Sequence, residues 1–142
     1  MKRTEAREAA FKLLYSFELM REVDAEEQLK LFLEEDEEDS TITDEAGEIY
    51  IRNIVTGVTS ENSNLEQIIS ENIKEDWELN RISKVDLALL KLGIYEMIYS
   101  KLPYKVVVNE VVELAKKYGD DKSKSFINGV LASVIKKNNI DS

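Results

Sequence analysis

The chain has 142 residues, 43% of them hydrophobic and 34% charged, with a formal net charge of −10, no cysteine, no histidine, one proline and five glycines. That length supports one sizeable core, and the mixture is too apolar for a disordered segment and too densely charged for a membrane protein. Lacking both cysteine and histidine, the sequence excludes disulfides, thiol nucleophiles, imidazole bases and the usual zinc sites, so a binding protein is expected rather than an enzyme.

Ala6, Ala10, Leu13, Leu14 and Phe17 fall three or four apart and predict a first helix from Thr4 to Met20, flanked by Lys2, Arg3, Arg7 and Lys12. Leu29, Phe32 and Leu33 predict a short second helix from about Ala25 to Leu33. The run Glu34-Glu35-Asp36-Glu37-Glu38-Asp39 that follows reads as a solvated loop. Its contiguous acids repel one another and lack the spaced ligands and turn glycine of a calcium site, so no metal is expected there. A third helix is predicted from an N-cap at Thr43, with Asp44 and Glu45 at the positive end of its dipole and Ala46, Ile49, Tyr50, Ile54 and Val58 on its apolar face, stopping near Thr59 to Asn64. Ser63 with Glu66 reads as a capping box for a fourth helix carrying Leu65, Ile68, Ile69 and Ile73 to about Lys74, with Trp77 anchoring the connection beyond.

Ser83 and Asp86 cap a fifth helix from Lys84 to Tyr99, with Ile82 placed to staple onto Leu87. Its apolar content is so high that a central position is predicted. Leu102-Pro103 is expected to end it, because the residue before proline is pushed out of helical geometry. A sixth helix runs from about Val107 to Tyr118 and should close at Gly119 with a left-handed cap. The seventh opens at Ser123, presents Phe126, Ile127, Val130, Leu131, Val134 and Ile135 up to Lys136, and leaves a fraying tail from Asn138 to Ser142. Val106 to Val108 is too short to argue for a strand. The expected fold is all-α, a compact bundle of about seven helices in two subdomains, about 1–60 and about 61–142. No apolar run exceeds the four residues Leu87 to Leu90, so no membrane span is predicted and a cytoplasmic location is expected.

None of the glycines, at 47, 57, 93, 119 and 129, belongs to a phosphate-cradling motif. Glu110 and Glu113 could do acid–base work, but such pairs are routine on exposed helical faces, and no catalytic residue is assigned. Gly129 costs its helix about 1 kcal/mol relative to alanine, which close helix packing or a ligand would explain. Charge is distributed unevenly: residues 1 to 100 carry −13 and residues 101 to 142 carry +3. The cations of interest are Lys2, Arg3 and Arg7 at one end and Lys116, Lys117, Lys122 and Lys124 around Gly119. If the first helix packed beside the last two, they would form one basic strip of RNA-binding size, with the start of the seventh helix offering phosphate donors. Phe126 could enter the core, the safer reading, or offer a face on which a base stacks.

Several segments carry a resemblance in the right order over nearly the whole chain: Ala6-Arg7-Glu8-Ala9 leading to Leu14-Tyr15, Asp86-Leu87-Ala88-Leu89-Leu90 leading to Tyr95-Glu96, Pro103 through Glu110, Glu113-Leu114-Ala115-Lys116, and Phe126 through Leu131. Together they resemble the NusB family of bacterial transcription antitermination factors. The resemblance implies an all-helical fold of two subdomains and a non-enzymatic role without a cofactor. It also implies binding of boxA RNA together with NusE, a small-subunit ribosomal protein, so that the RNA polymerase elongation complex reads through terminators in ribosomal RNA operons. Carried over by position, RNA contacts fall to Lys2, Arg3 and Arg7 and to the segment from Lys116 through Phe126, including Lys117, Lys122 and Lys124. Partner contacts fall to Tyr95 and Glu96, aided by acidic surface that attracts a basic ribosomal protein. Tyr15 matches a position near the functional surface, or is a core tyrosine with its hydroxyl at the rim. Thr4 and Glu5 stand where many relatives have arginines, which implies a weaker RNA binder that leans on its protein partner. Monomer and homodimer both stay open. The alternative reading is a helical interaction scaffold akin to the domain in front of ribosomal RNA cytosine methyltransferases, without the catalytic domain, for which 142 residues leave no room.

Overall fold

The computed structural model describes residues 2–20, 24–39, 44–74 and 77–140 and contains seven α-helices: α1 (Arg3–Leu19), α2 (Ala25–Asp39), α3 (Glu45–Ser60), α4 (Asn62–Glu71), α5 (Lys84–Ile98), α6 (Tyr104–Tyr118) and α7 (Ser123–Lys137). A single 3-10 turn, Leu79–Arg81, precedes α5, and no strand occurs among the described residues. None of these helices is long and apolar enough to cross a membrane. The chain divides into two compact units, 1–60 with α1 to α3 and 61–142 with α4 to α7.

In the first unit α1 packs on α3, and α2 lies against both. The buried stripe of α1 is Ala6, Ala10, Phe11, Leu13 and Leu14. Phe11 takes the core position expected of Phe17, which is only half-buried. Helix α3 buries Tyr50, Ile51, Ile54, Val55 and Val58, while Ile49 and Ala46, expected on that face, are exposed. Its cap is Asp44, whose Oδ1 accepts from Gly47 N–H at 2.6 Å; the expected cap, Thr43, lies outside the described residues. The acidic run is not a loop: α2 continues through Asp39, and most of the run's side chains lie outside the described ones. Asp24 starts that helix by accepting from Glu26 N–H at 3.0 Å.

In the second unit α5 contacts α4, α6 and α7. Leu87, Leu89, Leu90, Leu92 and Ile94 are fully buried, each worth about 1.5–3 kcal/mol relative to an exposed position. Lys91 is buried on the same helix because its ammonium donates to Glu66 of α4 at 3.0 Å. Glu66 therefore pairs across helices and closes no capping box; Ser63 sits inside α4, which starts at Asn62. At α5 the cap is as expected, with Ser83 Oγ accepting from Asp86 N–H at 3.1 Å. Pro103 does not stop α5, which ends at Ile98; its carbonyl instead accepts from Val106 and Val107 N–H, so the proline opens α6. The tail is held through Ile140 rather than frayed. Asn139 adopts φ 50°, Ile140 N–H returns to Ile135 O at 3.0 Å and Asn139 N–H to Lys136 O at 3.4 Å, a Schellman closure.

The two glycines that the sequence singles out change places in their physical reasons. Gly119 is extended, with φ −89° and ψ −176°, so no left-handed cap forms. A Cβ there would lie 2.5 Å from Ser123 Cβ and 2.8 Å from Ala115 O, and this crowding is what demands glycine. Around the Cβ position of Gly129 nothing lies within 4 Å, so close helix packing does not explain it; that tight approach occurs instead at Gly93, 3.3 Å from Val111. Opposite outcomes follow in thermal unfolding: Gly119→Ala should destabilise by about 1–3 kcal/mol through overpacking, whereas Gly129→Ala should stabilise by about 1 kcal/mol through helix propensity. Equal shifts for the two variants would refute this assignment.

Candidate nucleic-acid interface

The turn between α6 and α7 gathers the cations of the second unit. Lys116 and Lys117 end α6, Lys122 caps α7 and Lys124 lies in its first turn, all exposed. Lys116 donates to Glu113 one turn earlier at 2.9 Å, which gives one of the two carboxylates weighed for acid–base work an ordinary surface pairing. Lys117 Nζ lies 5.5 Å from the Tyr118 ring. Lys122 and Lys124 stand next to a rigid start of α7: Asp120 Oδ1 accepts from Lys122 N–H at 2.8 Å and from Ser123 N–H at 3.0 Å, and Ser123 Oγ accepts from Asp120 N–H at 3.1 Å. The Lys122 N–H bond, the Ser123 bonds and the Lys122 charge hold the Asp120 carboxyl below its usual range. A turn fixed in this way presents its lysines at little further entropic cost.

Beneath the turn sits Asp86, a residue whose role the sequence shows only as a cap. It is buried, and its Oδ1 has no hydrogen-bond partner. Burial raises its pKa, the Ser123 hydroxyl opposes that, the Asp120 charge adds to the rise and the Ser83 hydroxyl lowers it again. The ionisation of Asp86, at the start of α5, is thus coupled to Ser123 and Asp120 at the start of α7. Phe126, one turn into α7, is half-buried and stacks on Trp77, with centroids 5.8 Å apart and planes 26° apart. Neither of its two expected fates describes it fully: it is part of a surface aromatic pair.

In the first unit Lys2 and Arg3 are exposed, and the Arg3 guanidinium lies over the Tyr50 ring at 4.2 Å. Arg7 is 2% exposed with its guanidinium 5.7 Å from the same ring, so it belongs to the packing of α1 on α3 rather than to a surface arm. Of the residues expected to meet a protein partner, Tyr15 is half-buried and stacks on Phe11 at 6.0 Å, and Tyr95 is half-buried and stacks on Tyr99 at 5.2 Å. Glu96 is 0% exposed, so it cannot offer a surface contact. No cluster of three or more potential metal ligands occurs among the described residues.

Comparison with known proteins gives this arrangement its class. A family model described as the NusB family matches residues 4–136. The transcription antitermination protein NusB of Ruminiclostridium cellulolyticum is 44% identical over 137 residues, covering 96% of this chain and 90% of the relative. That of Clostridium novyi is 41% identical, covering 96% and 99%. Among solved structures, T. maritima NusB superimposes with a TM-score of 0.85 at 33% identity, covering 96% of this chain and 92% of that one. A crystal structure of antitermination factors NusB and NusE in complex with dsRNA matches with a TM-score of 0.82 at 31% identity, covering 95% and 96%. The sequence relatives are named transcription antitermination proteins, and the solved structures share this chain's helical fold. The chain belongs to the NusB family.

Asp86 supplies a pH test of the turn. A carboxyl whose folded pKa is raised costs stability once it ionises, so the cost is absent below about pH 4 and appears as pH rises through the unfolded and then the folded pKa. Asp86→Asn should therefore gain stability relative to the parent between pH 4 and pH 7 in urea unfolding, and show no gain at pH 3. A difference independent of pH would sink the assignment.

Proposed function

We propose that this chain is an RNA-binding transcription antitermination factor that engages the boxA element of ribosomal RNA operon transcripts together with NusE and thereby promotes read-through by the RNA polymerase elongation complex. The observation that carries the reading is local: a protein of net charge −10 exposes Lys116, Lys117, Lys122 and Lys124 around one turn held by Asp120 and Ser123. A polyanion repelled by the rest of the surface is attracted there, and each lysine that meets a phosphate releases counterions. Family membership and a related protein crystallised with NusE on RNA support the same reading. In the first unit Lys2 and Arg3 add phosphate contacts, while buried Arg7 does not. With Thr4 and Glu5 beside them that arm is thin, so affinity comes largely from the α6–α7 turn and from NusE. We assign NusE contacts to Tyr15 and Tyr95, helped by the acidic surface, and none to buried Glu96. The family role calls for no bond-making step and no cofactor.

Two measurements test this. Labelled boxA RNA should bind with an affinity that rises on addition of NusE, and a partner that leaves affinity and base selectivity unchanged would count against the function. The triple variant Lys116→Glu, Lys117→Glu, Lys122→Glu should lose most RNA binding, flatten the log–log salt dependence by about 2, from about 0.7 per lost single-strand phosphate contact, and still associate with NusE.

A further inference from the structure

The second unit has a groove of about 320 Å³ between the end of α4 and α7, lined among others by Asn72, Ile73, Lys74, Trp77, Phe126 and Gly129. Trp77 is 39% exposed, and its backbone N–H donates to Lys74 O at 2.9 Å. Its indole stacks with the Phe126 ring, so the groove has an aromatic pair on one side. The open space at Gly129 keeps the groove from being filled, at a standing cost in helix propensity that no packing contact explains. At the back, Asn72 Nδ2 donates to Ile68 O at 2.7 Å and its Oδ1 accepts from Ser133 Oγ at 2.6 Å, which fixes that amide between α4 and α7. Cationic charge stands on its edge: Lys74 lines it, and Lys122 lies four residues before Phe126, on the same face of α7.

An aromatic stack whose indole is still 39% exposed, a notch left by a missing side chain and two flanking ammonium groups fit a planar ring attached to an anionic backbone. An apolar peptide helix would use the aromatic pair but not the lysines. Bases within an A-form duplex are already stacked and paired, whereas an unpaired one can be splayed onto an aromatic face. We propose that this groove is a subsite for one unpaired base of the bound RNA, which stacks on Trp77 and enters over Gly129 while Lys74 and Lys122 meet the adjoining phosphates. The proposal rests on the RNA-binding function above and extends it to Trp77, Lys74 and Gly129, which no motif in the sequence marks as RNA-facing.

Trp77 is the sole tryptophan, so its emission reports on the groove directly. Single-stranded boxA RNA is titrated with and without NusE, following labelled-RNA anisotropy and Trp77 fluorescence in parallel. The expected result is quenching of Trp77 with the same midpoint as the anisotropy. Gly129→Leu, which fills the groove, should abolish the quenching and weaken binding roughly 5- to 100-fold with an unchanged circular dichroism spectrum. Removing one base at a time from the RNA, with unaltered protein, should give the same loss at a single position, and this arm decides the matter if Gly129→Leu does not fold. RNA binding with unchanged Trp77 emission, or with no single base whose removal matters, overturns the subsite and leaves the general RNA reading intact. Absence of any anisotropy change, even with NusE, overturns both.

Discussion

Helix α5 has no polar side to give to water. Nearly every residue from Asp86 to Met97 is buried, and the second unit is the arrangement of α4, α6 and α7 that covers it. Two consequences follow from that constraint. A buried charge on α5 needs a partner on a neighbouring helix, as Lys91 has in Glu66, because an unpaired one costs several kcal/mol; Asp86, with one oxygen unpartnered, bears part of that cost as a raised pKa. Small residues must sit where the covering helices come closest, as Gly93 does against Val111 and Leu131. The rest of the unit is disposed around this buried rod.

The same rod stands under the turn that carries the exposed lysines of the second unit. Asp86, at its first turn, is close enough to the start of α7 for Ser123 and Asp120 to shift its pKa, and Asp120 fixes the backbone that carries Lys122. The exposed positive charge of Lys122 and Lys124 therefore stands at the start of α7, near a buried carboxyl that is costly when ionised. A surface turn tethered in this way exchanges some stability for a fixed presentation of its cations. The crowding at Gly119 belongs to the same junction: Ser123 approaches so closely that no side chain fits between them. The aromatic pair Trp77 and Phe126 continues the surface along α7, one turn beyond the lysines.

Several features were legible in the sequence because they depend on neighbours in the chain. The helix count, the Ser83 cap and the central character of α5 all follow from short-range spacing and from how apolar each stripe is. Errors arose where a residue had a choice of partners. Glu66 had the spacing of a capping box and chose a lysine on another helix; Phe11 and Phe17 are both aromatic on α1, and only the position of α3 decides which is buried. The loop reading of the acidic run underestimated glutamate, whose helix propensity is high even where its charges repel. Pro103 sits at a boundary either way, and spacing alone does not say whether it ends one helix or opens the next.

For the candidate site the division is sharper. The sequence by itself determined that the chain is helical, that its cations collect near residues 116–124, and that it lacks the histidine and cysteine on which most catalytic sites are built, since composition and local period require no knowledge of packing. Only the tertiary structure decided that Arg7 and Glu96 are buried while Lys122 is exposed, that Trp77 meets Phe126 across 49 positions of chain, and that Gly129 faces open space. Burial and long-range contact are set by which helix faces another, and a sequence period fixes the stripe without naming what covers it.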